Sequence, residues 1–355
     1  MDIDDDVQLN TAKSNTRSTL IVMVCTFVSR LLGFVRTAVT TAIYGASGTA
    51  DVINLTFAVP NNLRKLLAEG ALSSAFIPVL SETLVTEKDP SIARKLVRNI
   101  ISFQLLILVP LCILSILWAR PLIVFVLTQF TDPEQIDLSV ALFRWFINYL
   151  ILISVSAAMM GILNSHGKFF LPAFTPILFS VSVIGFILGF RQELGVYAMA
   201  VGVIVGGIAQ IAFQYPLYRK LGYDFLPSFS FNTERFKRII KQWLPLVATS
   251  SIFIITEQVS FRFASGLEEG SASAISNALV FWQLPFGIFS ASITTVLFPQ
   301  MSRQAALKDT DGLRNSIQYG LNFLLVLLVP SAVVLSFFGK EIISVAYQRG
   351  MFTMK

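Results

Sequence analysis

Long apolar blocks separated by short polar stretches set the pattern of this chain from residue 18 to residue 347. About 20 consecutive apolar residues make a helix that crosses the hydrocarbon core of a bilayer. The pattern predicts nine such spans, at 18–43, 52–83, 97–119, 137–163, 169–190, 196–218, 240–264, 272–301 and 318–347. A tenth apolar piece, Pro121–Phe130, is too short to cross and is expected at an interface. The predicted fold class is all-α: a polytopic membrane helix bundle of about nine transmembrane helices.

Composition sharpens this picture. Of the 355 residues 54% are hydrophobic and only 14% charged, against roughly a quarter charged in soluble domains. A large soluble enzyme is excluded. The two cysteines, Cys25 and Cys112, both lie inside apolar blocks, which leaves no disulfide framework and no thiolate metal site. His166 is the lone histidine. No P-loop, HExxH or GxGxxG pattern occurs. We therefore expect no catalytic residues, no cofactor, no metal and no nucleic-acid partner; membrane lipids are the expected surroundings.

The net charge of +6 reports topology first. With the N-terminus inside, sixteen basic residues fall in or beside the cytoplasmic regions, and the outside loops between spans hold two, Arg120 and Arg191. The start of the chain is acidic (Asp2, Asp4, Asp5, Asp6), unlike the basic start of a cleavable signal peptide. The expected division is a cytoplasmic tail at 1–17, a six-span lobe at 18–218, a basic cytoplasmic linker at 219–239 and a three-span partial lobe at 240–355. A short internal similarity supports two lobes: Phe76-Ile77-Pro78 closes the second span and Leu297-Phe298-Pro299 the eighth, after Pro60 and Pro285 respectively. Such parallel units are a transporter architecture, here with the second lobe incomplete.

Charges inside the spans need a reason, since each costs about 2.5–3.5 kcal/mol at mid-bilayer. Arg30 lies about 18 Å along the first span and Arg64 about 20 Å along the antiparallel second, which brings them to similar depth. Arg36 sits nearer the outer end. With Lys65, these cations exceed Asp51 and Glu69 by two charges, a surplus suited to an anion in a water-filled cavity; a guanidinium fork matches pyrophosphate oxygens. The alternative is pairing with Asp51 and Glu69, or snorkelling. Lys65 and Glu69, four apart, read as a structural pair. Arg144, and Arg262 with Glu257, are further candidates. Gly185-x-x-x-Gly189 and Gly202-x-x-x-Gly206 are expected to let consecutive helices pack closely, and Pro60 and Pro285 to kink theirs.

Several runs carry a resemblance. Ser29-Arg30-Leu31-Leu32-Gly33-Phe34-Val35-Arg36, then Gly45-Ala46, Asp51 and Pro60-Asn61-Asn62-Leu63-Arg64-Lys65-Leu66-Leu67-Ala68-Glu69-Gly70-Ala71 closely resemble the MurJ/MviN family. So do Gly161-Ile162-Leu163-Asn164, Pro172-Ala173-Phe174-Thr175-Pro176 and Phe263-Ala264-Ser265. The resemblance implies a bacterial lipid II flippase of the multidrug/oligosaccharidyl-lipid/polysaccharide exporter superfamily in the cytoplasmic membrane. It would move the undecaprenyl-pyrophosphate-linked peptidoglycan precursor outward by alternating access, with the peptidoglycan-synthesis machinery as a further partner. The substrate-binding positions it implies are Ser29, Arg30, Arg36, Asp51, Asn61, Arg64 and Glu69. This sequence departs from the pattern at Thr37, where an Asp is common, and at Val280 and Gln283, where an eighth-span arginine and an acid would fall. The family has fourteen spans, and this chain is expected to lack the last ones. Alternatives are a flippase for another polyprenyl-linked glycan, or a non-transporting scaffold derived from a flippase.

Overall fold

The computed structural model describes the backbone of residues 3–69 and 71–352; side chains at 1–19, 68–71, scattered positions between 288 and 306, and 353–355 fall outside that description. Among the described residues the regular structure is wholly helical. The elements are α1 (Ile3–Tyr44), α2 (Gly48–Arg64), a π-helical turn (Lys65–Glu69), α3 (Ala71–Thr86), α4 (Pro90–Leu117), the short α5 (Ala119–Pro121) running into a second π-helical stretch (Leu122–Leu127), α6 (Pro133–Ser165), α7 (Phe170–Leu194), α8 (Tyr197–Lys220), α9 (Glu234–Ala264), α10 (Ser271–Ala306) and α11 (Thr310–Tyr347). Each predicted span coincides with one of these helices, or for the second span with the pair α2–α3. Among the described residues seven helices, α1, α4, α6, α7, α8, α9 and α11, are long and apolar enough to cross a membrane. The chain is a multi-pass membrane protein. The expected ninefold count differs from these seven because α2 and α3 are each short, separated by the π turn, and because parts of α10 lie outside the described residues.

Local chemistry sets the helix starts. Asp89 accepts from the Ser91 amide, with Pro90 opening α4, and Asp132 does the same for Glu134 and Gln135 ahead of Pro133 and α6. An extended residue with a short polar side chain followed by proline satisfies the orphan amides of a first turn. Ser47, Thr233 and Asp309 accept first-turn amides of α2, α9 and α11 without a following proline.

The chain divides into two compact units, residues 1–40 with 47–272, and residues 41–46 with 273–355. In the larger unit α6 is the axis, packed against α2, α4 and α8. One core cluster joins Phe76, Leu80, Leu96, Ile100, Met159, Tyr218, Phe236 and Trp243 across α3, α4, α6, α8 and α9. A second joins Leu108, Cys112, Ile123, Phe143 and Ile147. Helices α7 and α8 meet through Gly202 and Gly206: a Cβ on Gly202 would lie 3.0 Å from the Val183 Cα, and one on Gly206 3.2 Å from the Phe179 Cα. Gly207 faces the other way, onto Leu152 and Tyr149 of α6. The first glycine pair behaves otherwise than expected. Gly185 and Gly189 have no atom within 4 Å of their would-be Cβ positions, because α7 turns the face carrying Phe179, Ser182 and Val183 to its neighbour instead. In the smaller unit the Met351 amide donates to the Ala42 carbonyl at 2.8 Å, and the Phe281 and Tyr347 rings pack tilted to each other at 58°.

The basic segment following α8 is docked rather than looped free. Arg98 forms a two-pronged ion pair with Asp224, at 2.6 and 2.5 Å. The Asn99 amide pairs with both backbone groups of Ser230, and Ser102 accepts from the Ser228 amide. At the start of α9, Arg235 pairs with Glu87 and Arg238 with Glu82. Arg98 donating to it holds the Asp224 carboxyl below the usual carboxylate range. Burial pushes the Tyr223 hydroxyl up to about 12 and lowers His166, and the two share a 2.8 Å hydrogen bond.

Candidate functional site

The larger unit contains a cavity of about 730 Å3, lined from α1, α2, α3, α6, α7 and α8. Pockets that hold small ligands fall at roughly 300–1,000 Å3. Ser29, Arg30 and Arg36 reach it from α1, and Asn61 and Arg64 from α2. Three arginines thus share one space, and no carboxylate is found among its described lining residues. The first-span spacing explains part of this. Arg30 and Arg36 are six apart, under two turns and about 120° around the helix, and Thr26, Ser29 and Gly33 fall within the same arc, so one broad face of α1 forms the cavity wall. Gly33 has nothing within 4 Å of its would-be Cβ, so the wall is open there.

Arg64 closes α2 immediately before the π turn, and its Nε and Nη2 both donate to Asn61 Oδ1, at 3.3 and 3.1 Å. A π turn inserts an extra residue into a helix and re-aims the side chains around it. Pro60, one turn earlier, removes a backbone donor from the same stretch. Arg36 is half-buried and lies over the Phe179 ring, with its guanidinium carbon 5.1 Å from the centroid. Phe179 stacks on Tyr149 at 5.0 Å and on Phe57 at 6.3 Å. The rest of the lining is neutral, with Ser73, Asn164, Ser180 and Gln210 among its polar members. Gln210 Nε2 donates to the Thr175 carbonyl at 3.3 Å, while its Oε1 has no partner. Chemically this is a site for an anion flanked by groups that hydrogen-bond neutral oxygens and nitrogens.

The remaining predicted positions lie elsewhere. Asp51 is buried and accepts from the Gly270 amide at 2.7 Å, tying the start of α2 to the turn after α9; it does not line the cavity. The Glu69 side chain lies outside the described residues, and Lys65 reaches Asn62 Oδ1 at 3.4 Å. Arg144 is exposed and donates to the Ile116 carbonyl. Arg262 donates to the Thr128 carbonyl at 2.8 Å, a cation at the end of the second π-helical stretch. Glu257 is half-buried on α9, away from the cavity lining. Phe57, Tyr149, Phe179 and Gln210 were not singled out in the sequence. Aromatic residues are abundant here, with 31 phenylalanines, so nothing in the pattern distinguishes these. Gln210 carried a signal, as an amide inside an otherwise apolar helix.

Known structures share this fold. The fold matches the inward-facing conformation of a multidrug resistance MATE family transporter of the MOP superfamily with a TM-score of 0.66, over 94% of this chain and 76% of that one, at 13% identity. The class is therefore a multi-pass membrane protein with a transporter fold. A closer match in sequence is the inward closed conformation of a lipid II flippase MurJ, with a TM-score of 0.78 and 27% identity over 94% of this chain and 68% of that chain. The family described as lipid II flippase MurJ matches residues 40–355, and the chain belongs to that family. A probable lipid II flippase MurJ of Borreliella burgdorferi is 35% identical over 95% of this chain and 66% of that protein. One from Buchnera aphidicola is 33% identical over 94% and 65%. The chain spans about two thirds of the length of these curated relatives.

Proposed function

We propose that this chain belongs to a lipid II flippase, a transporter and not an enzyme, which carries the polyprenyl-pyrophosphate-linked peptidoglycan precursor across the bacterial cytoplasmic membrane. Arg30, Arg36 and Arg64 bind the pyrophosphate, with Ser29 and Asn61 beside them. Support comes from one observation above all: these three guanidinium groups share a single cavity whose described lining includes no carboxylate. A cation inside a membrane span is costly, and a diphosphate offsets that cost through charge-assisted, two-pronged hydrogen bonds. Asp51 acts by fixing the turn at Gly270 rather than by touching the ligand.

The N-terminus and the segment 219–239 lie on the cytoplasmic side in this reading, which the sixteen-to-two distribution of basic residues between the cytoplasmic loops and the outside loops between spans supports. Functionally the protein works as two lobes, 18–218 and 240–355, joined by that segment.

Complementation of a flippase-depleted bacterium tests the reading. Arg30→Ala and Arg64→Ala should each abolish growth with protein levels near normal, and lysine at either position should rescue only in part, because a point charge lacks the guanidinium fork. Full growth with both alanine variants would remove the proposal.

A further inference from the structure

Arg36 raises a physical question that the cavity answers. A guanidinium inside a membrane-spanning helix needs something to offset its desolvation, and acids normally do this. Among the described residues Arg36 forms no ion pair. Arg64 lies within electrostatic reach and repels it. What Arg36 does have is the face of the Phe179 ring, 5.1 Å from its guanidinium carbon.

That ring is itself held. Phe179 stacks on Tyr149 with an interplanar angle of 27° and lies nearly parallel to Phe57 at 12°. Gly206 of α8 brings its backbone so close to the same ring that a Cβ there would lie 3.1 Å from Phe179 Cδ2. An aromatic face attracts a cation without accepting its N–H groups. A carboxylate in the same place would take two of them in a fork and cancel the charge.

We propose that Phe179 is a positioning residue for the cavity's anion. It supports the Arg36 charge through its π face, so that the guanidinium N–H edge stays free and cationic for phosphate oxygens. This rests on the reading of the cavity as a pyrophosphate site. Phe179 also lines the cavity; the role assigned to it here is exerted through Arg36.

The test uses the purified protein in phosphatidylcholine nanodiscs, with farnesyl pyrophosphate as probe and calorimetry or thermophoresis as readout. Phe179→Met keeps the bulk and removes the π face, and Phe179→Tyr keeps both. Phe179→Met should weaken the probe about five- to tenfold, in keeping with a partly desolvated cation–π contact. Phe179→Tyr should stay within about twofold of the wild type. In an Arg36→Gln background the Met substitution should have no further effect, since the group it supports is gone. Thermal midpoints of all variants show whether the fold is retained. Wild-type affinity in Phe179→Met, or an equal loss with and without Arg36, overturns the positioning role and leaves the cavity reading standing. Absence of probe binding by the wild type overturns the cavity reading and this inference with it.

Discussion

Two glycine pairs with the same spacing sit on consecutive helices, and the structure requires opposite responses to the same mutation. In Gly202→Ala the new methyl carbon would lie 3.0 Å from both the Phe186 Cβ and the Val183 Cα, and 3.3 Å from the Ser182 carbonyl oxygen. The Val183 contact is backbone, so relief requires α7 and α8 to separate. That separation also stretches the 2.9 Å bond from Ser182 Oγ to the Gly202 carbonyl. Overpacking of this kind costs about 1–3 kcal/mol. Replacing a helical glycine by alanine returns about 0.5–1 kcal/mol. The net expectation for Gly202→Ala is a loss of about 0.5–2 kcal/mol. At Gly185 and Gly189 no atom lies within 4 Å of the new carbon, so only the favourable backbone contribution remains, about 0.5 kcal/mol or slightly more for each. Thermal unfolding in detergent, followed by tryptophan fluorescence, separates the two cases. Gly202→Ala should lower the apparent midpoint by about 2–5 °C, and Gly185→Ala should leave it unchanged or raise it. Equal destabilisation at Gly185 and Gly202 would refute the assignment of the α7–α8 contact to one glycine pair.

Other perturbations follow from single contacts. Asp51→Ala strands the Gly270 amide and should cost about 1–3 kcal/mol in thermal or denaturant unfolding while farnesyl pyrophosphate affinity changes little; a large affinity loss at unchanged stability would place Asp51 at the ligand. Arg262→Ala removes a donor to the Thr128 carbonyl and should damage complementation less than Arg64→Ala does. Asp224 has its carboxyl depressed by Arg98, so its contribution to docking 221–231 is present above the unfolded pKa of about 3.9 and is lost as pH falls through the lower folded value. Hydrogen exchange across 221–231 should therefore stay slow near neutral pH and accelerate there in Asp224→Asn; unchanged protection in that variant counts against this docking role of Asp224. An engineered cysteine at Asn232, an exposed position, should resist impermeant reagents in intact cells and react after lysis; labelling from outside would invert the proposed topology.

The sequence by itself determined that the chain is a multi-pass helical membrane protein, since 20-residue apolar runs have one stable form in a bilayer, where every backbone amide must be satisfied within its own helix. It also identified Arg30 and Arg64 as exceptional, because a charge in an apolar span violates the transfer energetics that define the span. Depth along two antiparallel helices was enough to suggest that these arginines meet, and both line one cavity. The resemblance carried the family, and it put Asp51 among the binding positions. Only the tertiary structure decided that Asp51 turns to Gly270, that Gly202 and not Gly185 faces the neighbouring helix, and that the segment after α8 is clamped by Arg98, Asn99 and Ser102. Each of these depends on the rotation of a helix about its axis. An amphipathic soluble helix reveals that rotation through its polar face, whereas a span that is apolar all round, like α7, does not. The same reason hid Phe179 among 31 phenylalanines: its identity is common, and its role comes from the cation that α1 brings over its face.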